Sequence, residues 1–369
     1  MKRVNFLCLL MLGLFFTACH SSDDTWGDWS RSYSFSGRPR TGAVTFTLNG
    51  EAYVGLGHNE SVEGLDKELK DFWKFNGSRW VAIESFPGEG RYGAVAFVVK
   101  EGGKEVAYVG TGFRSVGGQE TYFADFYRFD GEHWDKNVAM TLPEAKDRPG
   151  ENNGRRYAVA FTLNNKGYVG TGLASGDLVL NDMYCFDPTK SGDDRWSDAE
   201  FNGEPRMGAV AFVIGDKAVV CLGSKVASGQ SSYVYDVKIF DGNTWADGKS
   251  VKNEDRVNWD NDYDKIARAY AVAFTSTRGD KGNRAYIATG IGSYRNTCWE
   301  YDIVEDRWYE VTEMPSLMTP RGFAVGFTLN DYGYVTTGGS SIASTVDTDC
   351  WKFTPNVEED SDNDYSPAG

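Results

Sequence analysis

Six arginines head nearly the same phrase along the chain: RTGAVTF at Arg40, RYGAVAF at Arg91, RRYAVAF at Arg155, RMGAVAF at Arg206, RAYAVAF at Arg268 and RGFAVGF at Arg321. A guanidinium presents five donors in a planar fork that matches a carboxylate. Six of them gathered in one place could hold the carboxylate of a sialic or uronic acid, or an acidic peptide. They could also fork onto carboxylates or carbonyls of an adjacent repeat, because Asp71, Asp125, Asp182, Asp236 and Asp349 recur behind them at matching positions. Arginines in every repeat exceed what one ligand can touch, which favours the structural account.

Other chemistry is sparse. Past the first residues the histidines are His20, His58 and His133, which leaves no imidazole pair to hold a metal. Asp260-Asn-Asp262-Tyr-Asp264 opens like a calcium loop, but Lys265 stands where the sharp turn needs glycine and Ala271 where the bidentate glutamate belongs. Asp360, Asp362 and Asp364 fail in the same way. No GxSxG, P-loop or dinucleotide fingerprint is present. Glu120 and Asp177 are carboxylates available for acid/base work, although nothing separates them from the rest of the chain's 53 acids. Neither a metal nor a cofactor is expected.

The chain's start bears on location. Lys2 and Arg3, an apolar run from Val4 to Phe16, and Thr17-Ala18-Cys19 form the charged, apolar and small-residue regions of a secretory signal, too short for a membrane span. Without Lys2 and Arg3 the formal charge of −15 becomes −17. So acidic a chain is a poor partner for nucleic acid or an anionic membrane. Cys185, Cys221, Cys298 and Cys350 remain inside it, scattered and without a CxxC pair, and are expected as buried free thiols.

Around each arginine the same parts recur: a small-and-apolar strand, a turn, a second strand ending in glycine, a loop, an aromatic strand, a tight turn and a tryptophan. In the second copy these are AVAFVV, AYVGTG, ADFYRF, Asp130-Gly-Glu-His133 and Trp134. With 43 glycines and 14% aromatics, this describes short antiparallel strands and scarce helix. Four strands in about fifty residues make one sheet, and six such sheets must stack face to face. The last repeat stops at Trp351-Lys-Phe353, one strand short, while Trp26-Gly-Asp-Trp29 precedes Arg40 as Trp80 precedes Arg91. The segment around Trp29 is therefore predicted to supply the outer strand of the sixth sheet.

This pattern resembles the six-bladed kelch-repeat β-propellers, over roughly Trp26 to Pro355. The spaced glycines GLG at Gly55, GTG at Gly110 and GTG at Gly170 depart from the usual kelch pair, and only Gly338-Gly339 reads as one. Phe16-Thr-Ala-Cys19 resembles a bacterial lipobox, and His20-Ser-Ser-Asp-Asp24 the surface-export signal of Bacteroidota lipoproteins. The resemblance implies residues 1–18 as signal peptide, 19–25 as a tether lipidated at Cys19, 26–355 as the propeller and 356–369 as a flexible acidic tail. It implies a monomeric outer-membrane lipoprotein, with surface exposure following from the export signal, whose only membrane contact is that lipid. Galactose oxidase shares this superfamily, but its copper site needs two histidines that this chain lacks.

In such a ring the arginines begin the innermost strands and are expected around one channel mouth. The longer loops share that face: 58–70, 113–124 and 224–235 after second strands, and 135–154 and 246–267 between blades. Tyr122, Phe123, Arg114, Tyr233, Trp259, Tyr263, Tyr294 and Arg295 on them could stack on sugar rings or grip a peptide. The reading is a non-catalytic binding module for a glycan or an envelope protein, with a sialate-mutarotase-like epimerase or a pure scaffold as alternatives.

Overall fold

The computed structural model describes residues 26–145, 148, 150–227, 229–252, 263–279, 282–346 and 348–365; Cys19, the tether and Trp259 lie outside them. The chain closes into a six-bladed β-propeller, each blade a sheet of four antiparallel strands. The innermost strands are Val44–Leu48, Val95–Glu101, Val159–Leu163, Val210–Ile214, Val272–Ser276 and Val325–Leu329. Helix among the described residues is confined to short 3-10 turns.

The second strands are buried almost throughout, but the innermost ones alternate. Val44, Phe46 and Leu48 point between blades, while Thr45 and the equivalent Ala96, Ala160, Ala211, Ala273 and Gly326 line a central channel of about 310 Å³. Small residues are required there because six strands converge on one axis. Each interface between neighbouring blades holds its own apolar cluster, as where Phe46 and Tyr53 meet Phe129 and Trp134. The four inner cysteines are free and buried in these clusters, as expected.

Ring closure follows the sequence. Trp26–Ser32 pairs with Cys350–Glu358, with Trp29 opposite Phe353. The Trp29 indole is 1% exposed and donates to the Thr312 carbonyl of the preceding blade. Trp80, Trp134 and Trp245 make the same cross-blade bond, to the carbonyls of Tyr33, Glu84 and Ala199. The last strand runs past Pro355 to Glu358, and the turn Ser361–Asp364 folds back on the closing strand. Asp28 holds it there, accepting from the Asp360 N–H and the Asn363 amide, each at 2.9 Å. Residues 356–365 are thus docked rather than a free tail.

The six arginines are 0–1% exposed. Arg40 forks onto Asp71 at 3.0 and 2.7 Å, and Arg321 onto Asp349 at 2.5 and 2.9 Å. Arg91, Arg155 and Arg206 pair likewise with Asp125, Asp182 and Asp236. The partner lies in the arginine's own blade, on its third strand, and not in the adjacent blade. Each Nε also donates to the carbonyl two residues earlier, as Arg40 does to Arg38. In five blades Nη1 reaches the middle carbonyl of the spaced-glycine turn: Leu56, Thr111, Thr171, Thr289 or Thr337. Those middle residues have φ of 57–63°, the left-handed turn that aims the carbonyl inward. In blade 6 the turn is Thr336-Thr337-Gly338, so Gly338-Gly339 is not the equivalent pair.

Arg268 differs. Thr297 replaces the aspartate and accepts from Nη2 at 2.5 Å, and burial without a paired carboxylate pushes the guanidinium pKa down to about 10. At Asp71, burial alone would raise the carboxyl pKa, but Arg40 and the Trp73 indole outweigh it and hold it below the ordinary value. The stabilisation from this pair is therefore complete above the ordinary carboxylate range and is lost as pH falls through the lowered value.

Trp29→Ala should cost about 3–5 kcal/mol through the cavity it leaves, read as a lower denaturant midpoint; an unchanged midpoint would place Trp29 outside the sixth blade. Asp349→Ala, which strands Arg321 as a buried unpaired charge, should cost about 3–5 kcal/mol. Thr297→Asp should do the reverse, raising stability by about 1–3 kcal/mol by giving Arg268 a charged acceptor. Calorimetric melting of the three variants checks both signs, and a destabilised Thr297→Asp would refute the equivalence of Thr297 with the aspartates.

Candidate functional site

The residue two places after each arginine shapes the mouth. Gly42, Gly93, Tyr157, Gly208, Tyr270 and Phe323 form a closed circle of backbone hydrogen bonds, each N–H donating to the carbonyl of the preceding blade's residue at 2.7–3.1 Å. All six have φ between 53° and 65°. Glycine adopts that conformation freely, whereas it costs other residues about 1–2 kcal/mol. Three aromatics nevertheless occupy it. Their rings converge, Tyr270 on Phe323 at 4.2 Å and Tyr157 on Tyr270 at 4.9 Å, and crowd the mouth, where with the three glycines they line a pocket of about 120 Å³. Gly93 and Gly208 make room: a Cβ there would lie 3.0 Å from the Tyr157 ring and 2.5 Å from that of Tyr270.

Arg156 stands beside these rings. Its guanidinium carbon is 4.1 Å from the centre of the Phe113 ring and 5.4, 5.6 and 5.7 Å from those of Tyr157, Tyr122 and Tyr92. Among the described residues its one guanidinium hydrogen bond runs from Nη1 to the Tyr92 hydroxyl at 2.6 Å. Its Nε is buried without a partner, and no carboxylate pairs with it among the described residues. Aromatic faces stabilise a cation but do not use up its N–H donors. An unpaired, half-buried arginine whose neighbours are ring faces is suited to an incoming anion, and the rings to a flat or apolar ligand body.

A second polar group adjoins it. His58 lies edge-on to Tyr92 at 5.6 Å, with Nδ1 3.3 Å from Glu68 and Nε2 3.2 Å from Glu60. Burial alone would lower the imidazole pKa, but the two glutamates outweigh it and hold it above the ordinary value. Glu68 is buried, and its Oε2 has no hydrogen-bond partner among the described residues.

The residues expected from the sequence divide accordingly. None of the six repeat arginines lines the mouth; they are locked behind it. Tyr122 joins the Arg156 cluster. Phe123 instead stacks on the buried Arg91 at 3.7 Å, and Arg114 is paired with Asp66 and Glu89. Tyr263 is buried and bonded to the backbone of Trp308, so it packs rather than binds. Tyr233 ends a hairpin, and Tyr294 and Arg295 are exposed; none of the three is among the rings that face Arg156. Two segments read as loops are hairpins: Phe113–Val116 with Gln119–Tyr122, and Ser224–Ala227 with Gln230–Tyr233. Arg156 was missed because Arg155 matches the repeat. The available signal was the position itself, which holds Thr41, Tyr92, Met207, Ala269 and Gly322 in the other copies.

No protein family and no curated protein matches this sequence. Among solved structures, the chain is similar to one described as the structure of YjhT, with a TM-score of 0.62 and 18% identity over 86% of this chain and 95% of that one. At that identity the likeness concerns the fold: this chain is a six-bladed β-propeller, and its function must be argued from the mouth.

Proposed function

We propose that this propeller is a non-catalytic binding module that takes the anionic group of a glycan, or of a partner protein of the cell envelope, at Arg156. The observation that carries the reading is a guanidinium enclosed by four aromatic rings, with unspent donors and no carboxylate partner among the described residues. The strained aromatics of the mouth support it, because such conformations persist where they serve a ligand. In this proposal the molecule is a monomer held at a bacterial outer membrane by lipid on Cys19, with the long-loop face directed at its ligand.

An epimerase of the sialate mutarotase type is the second reading, favoured by the buried Glu68–His58 pair beside Tyr92, which could pass a proton at the mouth. Binding with turnover would establish it in place of the first.

Uronic-acid oligosaccharides and sialic acid, titrated calorimetrically, should bind the native protein and lose at least tenfold in affinity with Arg156→Gln at unchanged melting temperature. Proton NMR of the bound sugars should show anomer exchange no faster than in buffer. Equal binding by Arg156→Gln would reject the site. Accelerated exchange that Glu68→Gln abolishes would replace the binding reading with the epimerase.

A further inference from the structure

On the face opposite the mouth, where first strands turn into second strands, one phenol ring carries two cations. The Arg278 guanidinium carbon and the Lys352 Nζ each lie 3.7 Å from the centre of the Tyr332 ring. The two charges are therefore no further apart than twice that distance. All three residues are part-buried, so the group still meets solvent. Neither cation has an ion-pair partner among the described residues, in a chain that sets 53 acids against 38 lysines and arginines.

The other blades show how such a charge is ordinarily met. Lys352 lies opposite Tyr334 in the register that sets Lys74 opposite Tyr53, Arg128 opposite Tyr108 and Glu300 opposite Tyr286. Each of those three has an opposite charge beside it: Glu51, Glu101 and Arg284 in turn. In the sixth blade Tyr332 takes the place of Glu51 at the start of the second strand. A ring thus replaces the carboxylate, and the group added to it is a second cation.

Both cations keep donors in hand. Arg278 is held by its N–H to the Ser276 hydroxyl at 3.1 Å, its Nε to the Asp331 carbonyl at 3.1 Å, and its carbonyl, which accepts from the Asn356 amide at 2.6 Å. Its two Nη groups, the Lys352 Nζ and the Tyr332 hydroxyl have no hydrogen-bond partner among the described residues. The neighbouring carboxylates are committed elsewhere, Asp331 to the N–H and hydroxyl of Thr277, and Asp28 to the Asp360 N–H and the Asn363 amide. Burial first and Arg278 next hold the Lys352 pKa below its ordinary value, against Asp28. A ring face stabilises a cation but accepts none of its hydrogen bonds in the plane of the donors, and two like charges on one ring repel.

We propose that Arg278, Lys352 and Tyr332 form a second anion site, separate from Arg156, for a doubly charged tetrahedral oxyanion, a phosphate or sulfate group. Two cations match a dianion, whereas one carboxylate leaves a charge uncompensated. A free ion and a lipid headgroup present the same chemistry, and vesicles separate the two sources.

Inorganic phosphate, sulfate and acetate are titrated into the purified protein at matched ionic strength, followed by NMR at the Tyr332 ring and the Arg278 amide. Phosphate and sulfate should bind there at least tenfold more tightly than acetate. Lys352→Gln, which breaks no hydrogen bond among the described residues, and Arg278→Gln should each weaken phosphate at least fivefold at unchanged melting temperature. Arg156→Gln should leave these shifts in place, so the two sites fail or stand separately. Sedimentation with phosphatidylcholine vesicles, with and without phosphatidic acid, assigns the source. Capture that needs phosphatidic acid and Lys352 supports the site with a lipid headgroup in it, and phosphate binding without capture supports it with a soluble ion. Equal affinity for phosphate and acetate, no shift with either dianion, or binding indifferent to both variants overturns the site.

Discussion

Every blade converges on one buried guanidinium. Stripping an arginine of water is costly, and the cost is offset only if its donors are all met. In the first blade the third strand supplies a carboxylate, the spaced-glycine turn a carbonyl, and the segment before the arginine another; the fifth blade puts Thr297 in the carboxylate's place. The same residue's backbone carbonyl accepts from the preceding blade: Gly57 N–H reaches Arg91, Gly112 reaches Arg155, and Gly338 closes the circle at Arg40. One side chain thereby fixes the relative position of three strands, and one peptide group ties that unit to its neighbour. The mouth circle, the inward turn and the channel diameter all follow from this joint.

That dependence explains which features could be read from sequence. The joint needs arginine, aspartate, glycine and tryptophan at set positions, so the period, the strand order and the closing role of Trp29 were all visible in the residues. The chemical state of the arginines was visible too, through the recurring aspartates, apart from which blade supplied them. The docked C-terminal segment was not, because a run such as Asp360-Ser-Asp-Asn-Asp364 reads as solvated unless one knows that the Asp28 carboxylate waits beside it.

The candidate site was illegible for a different physical reason. Tyr92, Arg156, Tyr270 and Phe323 come from four blades and meet only because the ring closes; no spacing along the chain records their proximity. Arg156 was further masked by Arg155, whose match to the repeat absorbed the pair. The hairpin at Phe113–Tyr122 looked like a loop because Gly117-Gly118 interrupts it, yet those glycines make the tight turn that lets the strands pair.

A repeat protein separates what the scaffold requires from what one site requires. Positions that serve the scaffold recur in all six blades, so departures from the repeat are where another demand has acted. The mouth circle makes the comparison direct: the backbone conformation is the same six times, glycine meets it in three blades at no cost, and aromatics meet it in three at a cost. Packing of the rings on one another recovers part of that cost, but three glycines would not have incurred it. The aromatics do what glycine cannot: their rings pack together across the mouth, and Tyr157 sets its ring beside Arg156, the one position after a repeat arginine that carries a charge. A symmetric, over-determined ring supplies the rigidity, and the strain it can absorb is placed where a ligand would meet it.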